Sequence, residues 1–209
     1  MHLLDISMLH GPAAGGVSRY LSTKRRWLRD NTRIRHSQLM AAERAGRGAD
    51  GEYLLPGMRL PLAGRLRWPV DAPRWIGAIR AMRPDVIEAN DMGSSAWFAL
   101  AAARKLDVPV LGFAHVDLVR FARERKGAIA ERVVIEYTRN FYNRCDIVVA
   151  PSDYLRRRLE SWDVQRVVVR NLGVDGAQFH PRLRTPRLRA RLGLPAGTRL
   201  LIYAGRFAA

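Results

Sequence analysis

The sequence predicts an α/β fold: a doubly wound parallel sheet of the Rossmann-like kind, with helices on both faces. Three observations carry that expectation. Short strand-like runs alternate with helical stretches from residue 2 to residue 170. Several of these runs, "DVIEAN", "VPVLGFAH" and "CDIVVAPS", read as apolar along their length instead of alternating, as strands buried on both faces do. The chain has 209 residues, 48% of them hydrophobic, enough to enclose a substantial core.

Residues 2–7 read as the first strand. The glycine-rich "MLHGPAAGGVS" follows, where adjacent Gly15 and Gly16 allow a tight turn and a close backbone approach. The helix expected over 17–30 is amphipathic, with Val17, Tyr20, Leu21, Trp27 and Leu28 on one side and Arg19, Arg25, Arg26 and Arg29 on the other. Strands at 36–41 and 53–55 precede a helix at 73–82. A strand at 86–90 leads to a helix at 95–106, and a strand at 109–115 leads through a loop to a helix at 127–143. After a strand at 146–150, Ser152 is placed to cap a helix over 153–161, and a strand at 167–170 ends the series. Residues 173–194 break the alternation with Pro181, Pro186 and the Arg-rich "RLRTPRLRARLGLP", which reads as a linker holding one short helix. A last apolar run at 200–204, stopped by Gly205, predicts a strand belonging to a different sheet.

The net charge of +17 favours polyanions, but arginine supplies all but three of the 36 basic side chains, and a GC-rich coding bias accounts for much of it as solvated surface. The longest apolar run, 96–103, is too short to span a bilayer. The N-terminal stretch lacks a basic region and carries Asp5 in its apolar run, which argues against a secretory signal. Cys145 is alone, so no intrachain disulfide forms, and a reducing, cytoplasmic setting fits.

Ligands of parallel α/β sheets sit beyond the carboxyl ends of the strands. That rule selects the loops at 9–16, 90–94, 115–126 and 151–152. Gly15 and Gly16, opening the first helix, suit a phosphate, although Val17 stands where a P-loop has lysine, and the dinucleotide fingerprint is absent. Glu88, Asn90 and Asp91 end one strand as candidate ligand contacts, with a helix cap the other reading of Asp91. His115 and Asp117 end the next strand and face the same crevice. No D-x-D, C-x-x-C or H-E-x-x-H pattern marks a metal site, and no G-x-S-x-G elbow marks a hydrolase.

Taken in order, "GPAAGGVSRYL", "PDVIEAND", "VPVLGFAHVD", "CDIVVAPSDYLRRRL", "VVVRNLGVDGAQFHP" and "RLLIYAGRFAA" resemble the N-terminal half of a GT-B glycosyltransferase of the retaining glycosyltransferase family 4. The resemblance implies a Rossmann-like acceptor-side domain over 1–172, an interdomain linker over 173–195 and, over 196–209, the first strand of a C-terminal donor-binding domain. That domain's E-x7-E element and the lysine after G-R do not follow, so the chain is expected to be a truncated form, inactive alone. The resemblance also implies that Gly15 and Gly16 lie near the donor phosphates, that His115 contacts the transferred sugar, and that Arg206 pairs with the donor diphosphate. Asn171, Gly173, Val174 and Asp175 correspond to hinge residues, and Asn90 stands where the family strand often ends in histidine. The implied reaction moves a hexose, mannose or glucose, from a nucleotide sugar to a glycan or lipid-linked acceptor with retention. It needs no cofactor beyond that donor and no side-chain base, because the leaving diphosphate can take the acceptor proton.

Two other classes compete. A dinucleotide enzyme would use Glu43 on a ribose, against the missing fingerprint. A nucleic-acid or other anion-binding module would use the positive charge, but no aromatic–basic platform accompanies it, and no specific nucleic acid is expected. The basic face of the first helix predicts instead a peripheral contact with an anionic membrane surface, at its inner face.

Overall fold

The computed structural model describes residues 1–9, 15–49, 51–59, 66–195 and 197–203. The chain divides into two compact units, Met1–Leu172 and Gly173–Ala209. In the first unit the strands are β1 His2–Ser7, β2 Arg35–Ala42, β3 Gly46–Arg47, β4 Tyr53–Pro56, β5 Met58–Arg59, β6 Arg67–Trp68, β7 Val86–Ala89, β8 Val110–Phe113, β9 Ile147–Ala150 and β10 Val167–Val169. The helices are α1 Gly15–Asn31, α2 Ala72–Met82, α3 Ser94–Leu106, α4 Leu118–Tyr142 and α5 Asp153–Glu160. Eight strands form one sheet in the order β10-β9-β8-β7-β1-β2-β4-β3, and only the β3–β4 pairing is antiparallel. β5 and β6 form a separate two-stranded ribbon.

Helix ends follow local chemistry. Asp71 accepts from the Arg74 amide at 3.0 Å, Asp117 from Arg120 at 2.9 Å and Ser152 from Leu155 at 3.3 Å, each satisfying an otherwise orphaned donor. Asp117 therefore starts a helix where the sequence reading placed a loop to residue 126. The expected helix start at Gly127 is found as well: with φ 79° and ψ −170° this residue is not helical, and α4 is two helical segments that meet at a kink there. Glycine tolerates that angle at little cost, so one helical segment stops and the next begins on either side of it.

The two faces of the sheet differ. One face presents Leu4, Ile6, Leu39, Ala41, Ile87, Ala89, Val110 and Val148, and with residues such as Trp75 and Ile79 of α2 and Ala96 and Ala99 of α3 they form the main core. The other face lies under α1, where Val17, Leu21 and Met40 make a small buried apolar cluster among the described residues. There Gln38, Asp5 and Glu88 stand side by side in register on β2, β1 and β7, all buried. At these positions β2, β1 and β7 are thus apolar toward α2 and α3 but polar toward α1, and Glu88 departs from the apolar character read in "DVIEAN", whereas β8 and β9 keep apolar Phe113 and Val149 on that face. Trp27 departs as well: it is 58% exposed, because Leu28 takes the inward position at that turn.

The second unit contains a 3-10 turn, Pro181–Leu183, and a short helix α6, Arg187–Arg191. The strand expected at 200–204 is absent over residues 200–203, where Leu201, Ile202 and Tyr203 are exposed. An apolar run becomes a strand only beside a partner that takes its backbone hydrogen bonds, and no strand is present among the described residues of this unit. Residue 204, with the rest of the expected strand end, lies outside the described residues.

Candidate sugar-nucleotide crevice at the sheet switch point

β1 connects toward β2 on one side and neighbours β7 on the other, so the loops after β1 and β7 diverge between them. This is the topological switch point, where α/β sheets open a crevice at their carboxyl ends. Four of the candidate residues, Asn90, Asp91, His115 and Asp117, follow the carboxyl ends of β7 and β8.

His115 is held on three sides. Its ring stacks on Phe113 with centroids 4.0 Å apart and planes at 5°, and meets the Tyr20 ring edge-on at 4.9 Å. Its Nε2 lies 3.0 Å from Asn90 Oδ1. Asn90 Nδ2 donates to the Glu88 carbonyl at 3.3 Å, which turns Oδ1 toward the histidine. Because that oxygen only accepts, Nε2 carries the proton and Nδ1 keeps a lone pair. Burial, reinforced by the Lys24 charge, lowers the His115 pKa to about 4, so the ring is neutral at ordinary pH. The arrangement offers a fixed neutral acceptor at the crevice, suited to a hydroxyl.

Beneath it lies a cluster of charges that no motif announced. Lys24 Nζ is 2.7 Å from Asp5 Oδ1 and 2.7 Å from Glu88 Oε2, and His36 Nε2 is 2.8 Å from Asp5 Oδ2. Burial raises the Asp5 carboxyl, but Lys24 and His36 outweigh it and hold the group down at about 2. Glu88 has Lys24 as its ion-pair partner but not the direct histidine bond that Asp5 has, and burial with the nearby Asp5 charge pushes its pKa up. Glu88 Oε1 is buried without a hydrogen-bond partner. The sequence signal was available in one place: Asp5 is a charge inside an otherwise buried strand, a position that demands a partner.

The remaining candidates divide. Asp91 accepts from Ser7 Oγ at 3.0 Å, Met8 N at 2.7 Å, Gly93 N at 2.8 Å and Ser95 Oγ at 3.2 Å. Its oxygens are thereby committed to tying the loop after β1 to the start of α3; the cap position of α3 is Gly93, with no side-chain cap bond, so the capping reading of Asp91 does not hold. Asp117 caps α4 and pairs with Arg158 Nε at 3.4 Å, so its carboxylate is also engaged. Gly15 opens α1 with φ 60°, a left-handed angle that favours glycine. A Cβ at Gly16 would meet nothing within 4 Å among the described residues, so a ligand can approach its backbone closely. Arg206 lies outside the described residues.

Sheet order and crevice define the Rossmann-like domain class from which GT-B glycosyltransferases are built. The chain belongs to glycosyltransferase family 4: the description Glycosyltransferase Family 4 matches residues 14–178. A GDP-mannose-dependent alpha-mannosyltransferase of Mycolicibacterium smegmatis is 31% identical over 156 residues, covering 75% of this chain and 41% of the relative. A GDP-mannose-dependent alpha-(1-6)-phosphatidylinositol dimannoside mannosyltransferase of Mycobacterium tuberculosis is 28% identical over 165 residues, 73% of this chain and 39% of its own length. The chain thus spans about two fifths of these curated relatives. Among solved structures, sucrose-phosphate synthase from Thermosynechococcus elongatus superposes with a TM-score of 0.67 at 17% identity, covering 94% of this chain and 53% of that one. HepE of Anabaena in complex with UDP and glucose gives 0.58 at 18% identity, covering 92% and 50%. At such identities the structures establish the fold.

Proposed function

We propose that these residues form the acceptor-side domain of a retaining hexosyltransferase that uses a nucleoside-diphosphate sugar, with mannose or glucose as the hexose. The observation that carries the reading is His115, neutral and clamped at the switch point, with Nδ1 able to accept from a sugar hydroxyl. Gly15 and Gly16 would face the donor phosphates at the start of α1, where free amides and the helix dipole favour an anion. Arg206 would pair with the diphosphate, and 173–195 would link to a donor-binding domain beginning near 196. In the reaction the anomeric carbon loses its bond to the phosphate oxygen and gains one to the acceptor oxygen on the same face. The acceptor proton passes to the leaving diphosphate, so the protein supplies positioning and charge stabilisation, with no metal or further cofactor.

GDP-mannose as donor is suggested by the mannosyltransferase relatives, and a lipid acceptor by the phosphatidylinositol dimannoside enzyme. A glycan or lipid-linked acceptor implies work in the cytoplasm at the inner membrane face. The test is transfer from labelled GDP-mannose and UDP-glucose by the protein expressed from its complete reading frame. His115→Ala should cut turnover by about 10²-fold or more with the far-ultraviolet circular dichroism unchanged. Activity within about twofold of the parent would make His115 structural.

A further inference from the structure

Lys24 takes no part in the reaction proposed above, yet it is among the most constrained side chains of the domain. It lies nine residues beyond Gly15, roughly 13 Å along α1. Its side chain is 14% exposed, and those of Asp5 and Glu88 are 0% and 8%. An apolar residue would fasten a helix to a sheet without the cost of desolvating charges. A double ion pair does something an apolar contact does not: it accepts one register, because a slip of the helix leaves buried charges unmatched. One turn nearer the crevice on the same helix is Tyr20. Its ring lies under the Lys24 ammonium at 5.8 Å and touches Phe113 at 5.0 Å and His115 at 4.9 Å. Gln38 adds a second fastening, donating to the Leu21 carbonyl at 2.9 Å.

We propose that Lys24 is a positioning residue for His115: its paired bonds to Asp5 and Glu88 fix the register of α1 on the sheet, so that Tyr20 closes on the imidazole while Gly15 and Gly16 open at the same crevice. The functional meaning rests on the reading of His115 as the sugar-facing residue, but the test reads His115 directly and needs no transfer. The groups around the imidazole are Tyr20 and Lys24 of α1, Asp5 of β1, Glu88 of β7, Asn90 just after β7, and Phe113 at the end of β8. Lys24 disfavours a second cation on the ring, and Asp5 acts the other way with smaller weight.

The experiment follows the His115 ring signals by NMR against pH in the whole 209-residue chain, together with the Tyr20–His115 nuclear Overhauser contacts. The parent is compared with Lys24→Met and with Lys24→Met/Glu88→Gln. The double variant removes the carboxylate that the single change strands, and it leaves Asp5 opposite His36. In the variants the His115 midpoint should rise by about one pH unit or more and the Tyr20 contacts should weaken, while the sheet amide signals persist. A folded variant with the parent's midpoint and contacts would overturn the proposal. Loss of the fold in both variants would overturn it too, since Lys24 would then serve the whole sheet and not the contact between α1 and His115. A failed transfer assay with the expected NMR result would count against the proposed function and leave the positioning role standing.

Discussion

Asp5 and Glu88 share one ammonium, and the partition between them has a measurable consequence. Asp5, with His36 as a second partner, has a pKa of about 2 in the fold, against roughly 4 when unfolded. A depressed carboxyl stabilises the fold above its unfolded value, so this contribution of about 2 kcal/mol is complete above pH ~4 and lost as pH falls toward ~2. Glu88 has the opposite sign: its pKa is raised, so the cost of burying its charge is relieved by acid. His115 adds an earlier limb. Its pKa of about 4 lies below the unfolded value of ~6.5, so protons favour the unfolded chain and stability declines as pH falls through that window. Urea midpoints measured from pH 7 to pH 3 should show both limbs, with the upper one missing in His115→Gln and the lower one flattened in Asp5→Asn. Unaltered slopes in the two variants would contradict these assignments. His115 and Asn90 were legible because a single rule, the carboxyl ends of parallel strands, picks them out. Lys24 and His36 were not, because their partners are 19 and 31 residues away in the chain and the surrounding sequence carries no spacing that reports a buried pair.

At the scale of elements, the longer strands and helices were readable because burial imposes an apolar period. β3, β5 and β6 have two residues each, too few for any period to show. The boundary at Gly127 was legible, but the first segment of α4 before it was not, although Asp117 three residues before Arg120 was a usable cap signal. Gly112 in β8 has a steric explanation: a Cβ there would come within 2.9 Å of Tyr142 Cδ1 and 3.0 Å of Cys145 Sγ, both on buried side chains. Gly112→Ala should therefore cost about 1–3 kcal/mol by overpacking, seen as a lowered urea midpoint with unchanged slope. Removing the fully buried Trp75 should cost more, about 3–5 kcal/mol in Trp75→Ala. On α1 the membrane proposal changes its residues: Arg19, Arg26 and Arg29 remain exposed, Arg29 paired with Asp30, and exposed Trp27 joins them, while Arg25 is half-buried. A tryptophan beside arginines suits an anionic interface better than arginines alone. The chain should co-sediment with phosphatidylglycerol-containing vesicles at physiological salt, and Trp27→Ser with Arg26→Gln should release it. Equal pelleting with neutral vesicles would remove the membrane from the account.

At the scale of the molecule, the first unit contains all eight strands of the main sheet, and the second has only a 3-10 turn and α6 as regular elements among its described residues. Deleting residues 196–209 should leave the urea midpoint of the first unit unchanged within about 0.5 kcal/mol. It should also reduce self-association in sedimentation velocity, since Leu201 and Ile202 are exposed. A clear loss of stability would mean that the tail supports the sheet. The sheet's two faces carry a further consequence, one of inheritance. On the face toward α2 and α3, one aliphatic side chain can replace another of similar size, so those positions are free to drift singly. On the face toward α1, a change at residue 5, 24 or 88 strands a buried charge unless a second change answers it. Across descendants of this sequence, those three positions should therefore alter in concert or not at all, leaving a covariation signature under α1 that the oily face lacks.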